Sequence, residues 1–186
     1  MKKLFLIFFT AFFLLVGLSG ISMATPVTLI DTTTFTANGT NPSGDFDGSG
    51  WGAVNFLNGF GDYVAWTHHF TFDPAAAEIL SGKLVISLKD DGGWCDSWEV
   101  AFGYAESGNW DLGEVNTGDY NYNVGVSSLA DGSFSVKIID LFGDFYITQS
   151  ALEITYEPVS EPVPEPATML LLGSGLLGFV VRRKKK

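Results

Sequence analysis

The sequence predicts an all-β protein, an antiparallel β-sandwich or jelly-roll-like domain between an N-terminal signal peptide and a short C-terminal transmembrane helix. Several segments alternate apolar and polar residues with a period of two, and clusters of Gly, Asn, Asp and Ser separate them. The distribution of charge then sets this domain apart from both ends of the chain. We divide the chain into a signal peptide at residues 1–24, a β-sandwich domain at 25–156, a Pro- and Glu-rich linker at 157–163 and a C-terminal tail at 164–186.

The first segment, "MKKLFLIFFTAFFLLVGLSGISMA", has the three parts of a secretory signal peptide. Lys2 and Lys3 precede an apolar run, and small residues follow it. Ser22 and Ala24 occupy the small-residue positions before a cleavage site, so we expect signal peptidase to cut between Ala24 and Thr25. An uncleaved anchor is the alternative, but the apolar run is short for a membrane span.

Four stretches of the body alternate most clearly, namely "DYVAWTHHFTF", "KLVISLK", "SFSVKII" and "ALEITY". Because successive side chains of a strand point to opposite faces, each stretch should bury one face and expose the other. The predicted inward residues are Val64, Trp66, His68, Phe70, Phe72, Leu84, Ile86, Leu88, Phe134, Val136, Ile138, Leu152, Ile154 and Tyr156.

Weaker patterns complete the predicted domain. Further strands are expected in "VTLI", "WGAVNFL", "WEVAFGY", "YNYNVGV" and "DFYIT". Asp131-Gly132 predicts a hairpin turn, and "DPAAAEIL", with Pro74 near its start, predicts a turn or two of helix. After Tyr156, the Pro- and Glu-rich stretch "EPVSEPVPEP" predicts an extended, solvated spacer.

The charges are strongly segregated along the chain. All 21 acidic residues lie between Asp31 and Glu165, where the basic residues are Lys83, Lys89 and Lys137. A body poor in cations between cation-rich ends fits a segment that is moved across a membrane. Such a body repels nucleic acids, whose binding depends on cationic contacts with phosphate, so we exclude DNA and RNA as partners.

The C-terminus combines three features in order. Pro164, Glu165 and Pro166 precede residues 167–181, a run of 15 residues without a charge. As a helix this run measures about 22 Å, against about 30 Å of hydrocarbon in a bilayer. We expect it to act as a membrane stop before processing, its end held at the cytoplasmic face by five basic residues. These are Arg182, Arg183, Lys184, Lys185 and Lys186.

This tail, residues 164–186, resembles the PEP-CTERM sorting signal, in which a Pro-Glu-Pro tripeptide precedes a short apolar helix and a basic end. The resemblance implies that an exosortase, a membrane-embedded cysteine transpeptidase, recognises and processes the tail. It also implies export from a Gram-negative bacterium through an inner-membrane intermediate to the envelope, surface or matrix, with exopolysaccharide as a candidate partner. Such tails also occur on some ice-binding proteins.

Acidic loops make structural calcium the one cofactor to consider, because hard cations prefer oxygen ligands. The candidate ligands are Asp45, Asp47, Asp90, Asp91 and Asp96. Neither of the two loops that contain them, residues 41–50 and 89–99, has the full ligand pattern of an EF-hand. Solvated turns without an ion are the alternative.

Catalytic residues are not expected. His68 and His69 are adjacent and point to opposite faces of a strand, so they cannot chelate one metal together, and His68 is expected to be a packed core or edge residue. A two-carboxylate glycosidase is the enzymatic alternative, with Asp96 and Glu99 as a candidate pair. They lie beside Trp94 and Trp98, but no nucleophile and base can be assigned from the pattern.

Two functions therefore remain for the body. One is a non-enzymatic envelope or matrix protein connected with biofilm, and the other is a carbohydrate- or ice-binding module. Exposed tryptophans would favour sugar binding, because stacked aromatic rings supply such contacts. The tryptophans concerned are Trp51, Trp94, Trp98 and Trp110.

Overall fold

The computed structural model describes residues 24–42, 46–49, 53–92, 98–106 and 108–160, without the side chains at 49 and 109–112. These residues form eleven strands and one short 3-10 helix, Val126–Leu129. The strands are β1 (Val27–Thr36), β2 (Gly39–Asn41), β3 (Phe46–Ser49), β4 (Phe56–Leu57), β5 (Tyr63–His69), β6 (Ala76–Asp90), β7 (Val100–Ala105), β8 (Gly108–Glu114), β9 (Gly118–Val124), β10 (Ser133–Phe142) and β11 (Phe145–Pro158).

The strands of the β-domain, Thr25–Val159, form two sheets. Sheet I has the order β2-β1-β11-β6-β9, with β4 also paired to β11, and sheet II has the order β3-β5-β10-β7-β8. All of these pairs are antiparallel. The prediction of an all-β, antiparallel two-sheet domain is confirmed.

The predicted alternation decides which faces form the core. Of the predicted inward residues only Phe72 is half-buried, and the others are buried. Apart from His68 and Tyr156, they belong to or pack against one apolar cluster, in which Phe35 of β1 meets the ring of Trp66 from β5 at 4.9 Å between ring centroids. Burial of each large apolar side chain contributes about 1.5–3 kcal/mol, so this cluster is the main source of stability in a chain with a single cysteine.

The structure corrects three local predictions. "DFYIT" and "ALEITY" are parts of one strand, β11, which is longer than either pattern because β6 pairs along most of it. The stretch expected to be helical after Pro74 forms the start of β6, where pairing with β11 overrides the helix preference of alanine. β11 also continues through Glu157 and Pro158 into the predicted spacer, and Pro158 is tolerated as its last residue.

Two further predictions are corrected by the topology. Asp131-Gly132 does not close a hairpin, because the chain crosses there from β9 of sheet I to β10 of sheet II. Gly132 has a φ of +83°, and its carbonyl accepts a hydrogen bond from the amide of Phe70 at 3.0 Å. In the described part of "WGAVNFL", only the two residues of β4 are in a strand.

A buried hydrogen-bond network joins the sheets through His68, which is fully buried as predicted. Its Nδ1 lies 2.7 Å from Asp31 Oδ2 on β1, and its Nε2 lies 2.9 Å from Ser150 Oγ on β11. The Trp66 indole donates to the same Nε2 at 3.1 Å. Because an indole N–H can only donate, Nε2 accepts and Nδ1 carries the proton given to Asp31.

The order Ser150, His68, Asp31 matches the residue types of a hydrolase triad, but the surroundings differ. Ser150 is fully buried, and the Nε2 lone pair that would accept its proton already accepts from Trp66. The hydroxyl is therefore not presented to a substrate, and these contacts are structural.

A substitution of His68 offers a direct test of this network. We expect His68→Phe to lower the free energy of unfolding by about 2–4 kcal/mol, because it leaves Trp66 and Ser150 without a buried partner. Thr71→Ala, at an exposed position just after β5, should change it by no more than about 0.5 kcal/mol. Urea denaturation of both variants measures the two values, and equal losses would contradict a special role for the network.

Candidate functional site

The residues with possible chemistry gather at one end of the sandwich. There β6 ends at Asp90, and β10 turns into β11 at residues 143–144. Phe145 lies between Asp90 on one side and Leu57 on the other. We call this the loop end and define it as residues 58–62, 90–92, 98–99 and 142–144.

Three carboxylates meet at the loop end. Oxygens of Asp90, Asp91 and Glu99 all lie within 4.8 Å of one another. Asp91 is exposed, Asp90 is half-buried, and Glu99 is only 4% exposed with both carboxylate oxygens buried. Calcium ligands lie 2.3–2.6 Å from the ion, so oxygens on opposite sides of it are about 5 Å apart. The spacing of the three carboxylates fits that geometry.

Local hydrogen bonds hold this cluster in place. The amide of Asp90 donates to Thr117 Oγ1 at 3.1 Å, and Asp90 Oδ1 accepts from the amide of Gly92 at 2.9 Å. The carbonyl of Glu99 accepts from the amide of Val115 at 2.8 Å. These hydrogen bonds therefore fix the backbone at Asp90 and at Glu99, the two segments that supply the carboxylates.

Gly143 allows the β10–β11 turn to pass directly over Glu99. Its φ is +95°, and a Cβ built there would lie 2.6 Å from Glu99 Cγ and 2.9 Å from Glu99 Cα. Any larger residue would thus clash with backbone as well as side chain. A glycine at this position is what lets a carboxylate be buried beneath a turn.

The structure brings together only part of the predicted ligand set. Asp90 and Asp91 meet, whereas Asp47 lies on sheet II and accepts a hydrogen bond from the Tyr63 hydroxyl at 2.8 Å. That hydrogen bond raises the pKa of Tyr63. Asp45 and Asp96 fall outside the described residues.

Sequence reasoning missed Glu99 as a possible ligand. It follows a tryptophan and precedes a strand, and no ligand spacing marks it. Only the pairing of β7 with β10 places it beside the turn at Gly143 and the end of β6.

Three large aromatic side chains project from the same end. Phe60 is 84% exposed, Trp98 is 76% exposed and Phe142 is 68% exposed. Of the four tryptophans singled out above, Trp98 is the one whose side chain is described. Large exposed apolar side chains at one end of a domain are candidates for contact with another molecule.

Asp140 holds the loop that carries Phe60. Its Oδ2 accepts from the amide of Gly59 at 2.7 Å, and its carbonyl accepts from the amide of Gly61 at 2.9 Å. Its own amide donates to the carbonyl of Asp62 at 2.8 Å. Burial raises the pKa of the Asp140 carboxyl, and hydrogen bonds from nearby backbone amides offset part of that rise.

The predicted sorting segment lies outside the residues that the structure describes. Within the described ranges, no helix has the length and hydropathy needed to cross a membrane. The expected helix at 167–181, Pro164-Glu165-Pro166 and the signal peptide up to residue 23 lie outside the described residues. Cleavage between Ala24 and Thr25 stays a prediction.

Comparison with known proteins identifies the tail. Residues 162–185 match the family model of the PEP-CTERM protein-sorting motif. None of the curated proteins matches the chain.

Among solved structures, loose likenesses concern the β-domain. A family two carbohydrate esterase from Cellvibrio japonicus has a TM-score of 0.39 and 11% identity over 76% of this chain, which spans 38% of the esterase. The CBM35 from Cellvibrio japonicus Abf62 has a TM-score of 0.36 and 13% identity, with coverage of 73% of this chain and 100% of the module. These overlaps are too loose to carry any functional conclusion.

The raised pKa of Asp140 gives a pH-dependent prediction. A carboxyl whose pKa is higher in the folded chain binds more protons there, so its contribution to stability falls as the pH rises from about 4 through the raised pKa. We expect Asp140→Asn, which cannot titrate, to gain in unfolding free energy relative to the parent between about pH 4 and pH 7.

Denaturation of the parent and Asp140→Asn across this range measures that difference. Glu78→Gln, which alters an exposed side chain of β6, controls for the change of net charge. A difference between Asp140→Asn and the parent that stays constant with pH would contradict the assignment.

Proposed function

Because this chain carries a PEP-CTERM protein-sorting motif at residues 162–185, we propose that it is an exported, non-enzymatic protein of the cell envelope or extracellular matrix. Signal peptidase releases its N-terminus, and an exosortase then recognises Pro164-Glu165-Pro166. The near absence of cations between Asp31 and Glu165 supports this route, since translocated segments are poor in Lys and Arg. The proposed connection with biofilm belongs to the same hypothesis.

The direction of β11 supports a role for the loop end as the contact surface. β11 begins at Phe145, next to the loop end, and finishes at Pro158, 13 residues later. At about 3.3 Å per residue, its two ends are roughly 43 Å apart. The chain therefore leaves the β-domain at the end of this strand that is far from the loop end.

A change in the tripeptide tests the sorting proposal. We expect Glu165→Ala to accumulate as a longer, membrane-bound form in the native host, because the processing enzyme no longer recognises its substrate. Glu161→Ala, in the same Pro- and Glu-rich stretch, should be processed like the parent. Immunoblots of envelope and medium fractions, with an antibody against the β-domain, compare the forms. Normal processing of Glu165→Ala would argue against exosortase recognition.

We also propose that Asp90, Asp91 and Glu99 hold a structural calcium ion. Their spacing supports this, as does the preference of calcium for carboxylate oxygens. The ion would tie the end of β6 to the start of β7 and so stabilise the loop end.

Calcium should therefore raise the melting temperature of the parent by several degrees over a chelated sample, because a ligand that binds only the folded state stabilises it. We expect Asp90→Asn to lose this shift and Glu78→Gln to keep it. Melting curves with calcium, with magnesium and with chelator measure the effect. An unchanged curve in the parent, or an equal shift in Asp90→Asn, would refute this site.

Carbohydrate binding is the second candidate function. The exposure of Trp98 favours it, because a ring offered to solvent can stack on a sugar. Ice binding has less support, since Thr155, opposite Thr28, is the one position at which β11 continues the threonine-rich outer face of β1. Glu153 lies opposite Ile30, and Ala151 lies opposite Thr32.

A further inference from the structure

The outer face of sheet II carries a groove whose lining shares no residue with the loop end. It has a volume of about 570 Å³ and lies across β3, β5, β10 and β7. We call it the sheet II groove. Its lining includes Asp47, Ala65, Thr67, Tyr104, Glu106 and Lys137.

The groove exists because three of the four side chains on its floor are small, and the fourth, Lys137, leans over the ring of Tyr63. Ala65 and Thr67 of β5 lie beside Lys137 and Ser135 of β10 in the register of the sheet. Larger groups stand on the same face of the flanking strands, with Asp47 on β3 opposite Ala65, and Tyr104 on β7 opposite Lys137. Strands are spaced about 4.8 Å apart, so the flanking strands are roughly 14 Å apart, which accommodates a sugar ring.

Bulky residues close one end of the groove. Tyr63, Ile139 and Phe102 lie next to one another across β5, β10 and β7. The Lys137 ammonium lies 3.8 Å from the centre of the Tyr63 ring, and Tyr63 donates to Asp47. The closed end therefore holds a fixed ammonium beside a carboxylate and an aromatic ring.

Hydrogen-bonding groups of Thr67, Ser135 and Glu106 make part of the groove lining polar. The hydroxyls of Thr67 and Ser135 lie 3.2 Å apart, and Glu106 Oε1 accepts from the amide of Ser135 at 3.0 Å. Tyr104 is 40% exposed at the side, and its ring packs on Phe102 with 4.9 Å between centroids. The ring of Tyr104 thus offers an apolar face beside a row of hydrogen-bond donors and acceptors on Thr67, Ser135 and Glu106.

We infer that the sheet II groove binds a neutral polysaccharide chain. Sugar hydroxyls both donate and accept, which suits the carboxylates of Asp47 and Glu106 together with the Lys137 ammonium. The apolar face of a sugar ring stacks on the supported ring of Tyr104. An anionic polymer is disfavoured, because the body that surrounds this one lysine is strongly acidic. This inference rests on the second proposed function and gives it a location and a ligand class.

The test uses the full chain in a sugar-free zwitterionic detergent. Xylohexaose, cellohexaose and mannohexaose serve as neutral probes, and a mannuronate hexamer serves as the anionic probe, all by calorimetric titration. We expect one or more neutral probes to bind, and Tyr104→Ala to weaken that binding by about tenfold. Ala65→Trp, which fills the floor without removing a contact, should abolish it.

Two controls distinguish binding in the groove from effects elsewhere in the domain. Tyr146→Ala removes an aromatic side chain from the outer face of sheet I and should leave affinity unchanged. Melting curves of every variant verify that the fold is retained.

Each outcome of the titrations has its own meaning. If Trp98→Ala abolishes binding while both groove variants bind normally, sugar binding stands, but the groove is refuted as its site. If only the mannuronate binds, the ligand class is wrong. If no probe binds, both the groove and the sugar-binding function fall, whereas the sorting proposal is untouched because it depends on the tail alone.

Discussion

The hydrogen bonds of His68 set how the two sheets face each other, and the surfaces of the domain depend on that arrangement. Asp31 and Ser150 belong to adjacent strands of sheet I, and His68 reaches both from sheet II. A slip of one residue in β5 would turn His68 outward and remove both contacts, since side chains alternate between faces. The same alternation places Ala65 and Thr67 outside, so the network that orders the core also fixes the floor of the groove.

The periodic parts of the fold could be predicted from sequence, because the alternation of apolar and polar residues within one strand decides which of its side chains are buried. The faces of "KLVISLK" and "SFSVKII" are buried as expected. Errors arose where partners far along the chain decided the outcome. The alanines after Pro74 form a strand because β11 pairs with them, and Asp131-Gly132 connects two sheets although its dipeptide is typical of a hairpin.

The candidate calcium site could also be predicted only in part from the sequence. Asp90 and Asp91 are adjacent in an acidic loop, so a cation site there could be suggested from sequence. Glu99 could not, because it joins them only through the pairing of β7 and the close approach of Gly143. The sheet II groove was also beyond prediction, since its floor and sides come from four strands that are separated in sequence.

A PEP-CTERM protein-sorting motif at residues 162–185 lies outside the β-domain, and we propose separate roles for the two, with the termini directing export and the β-domain offering binding surfaces. The central claim is that the exported chain is trimmed at both ends, and intact mass spectrometry of the protein from its native host, in envelope and medium separately, tests it most directly. We predict a mass that begins at Thr25 and ends near Pro166, with or without an added group. A mass that still includes Lys186 would contradict the claim and indicate a tail-anchored membrane protein with an acidic β-domain.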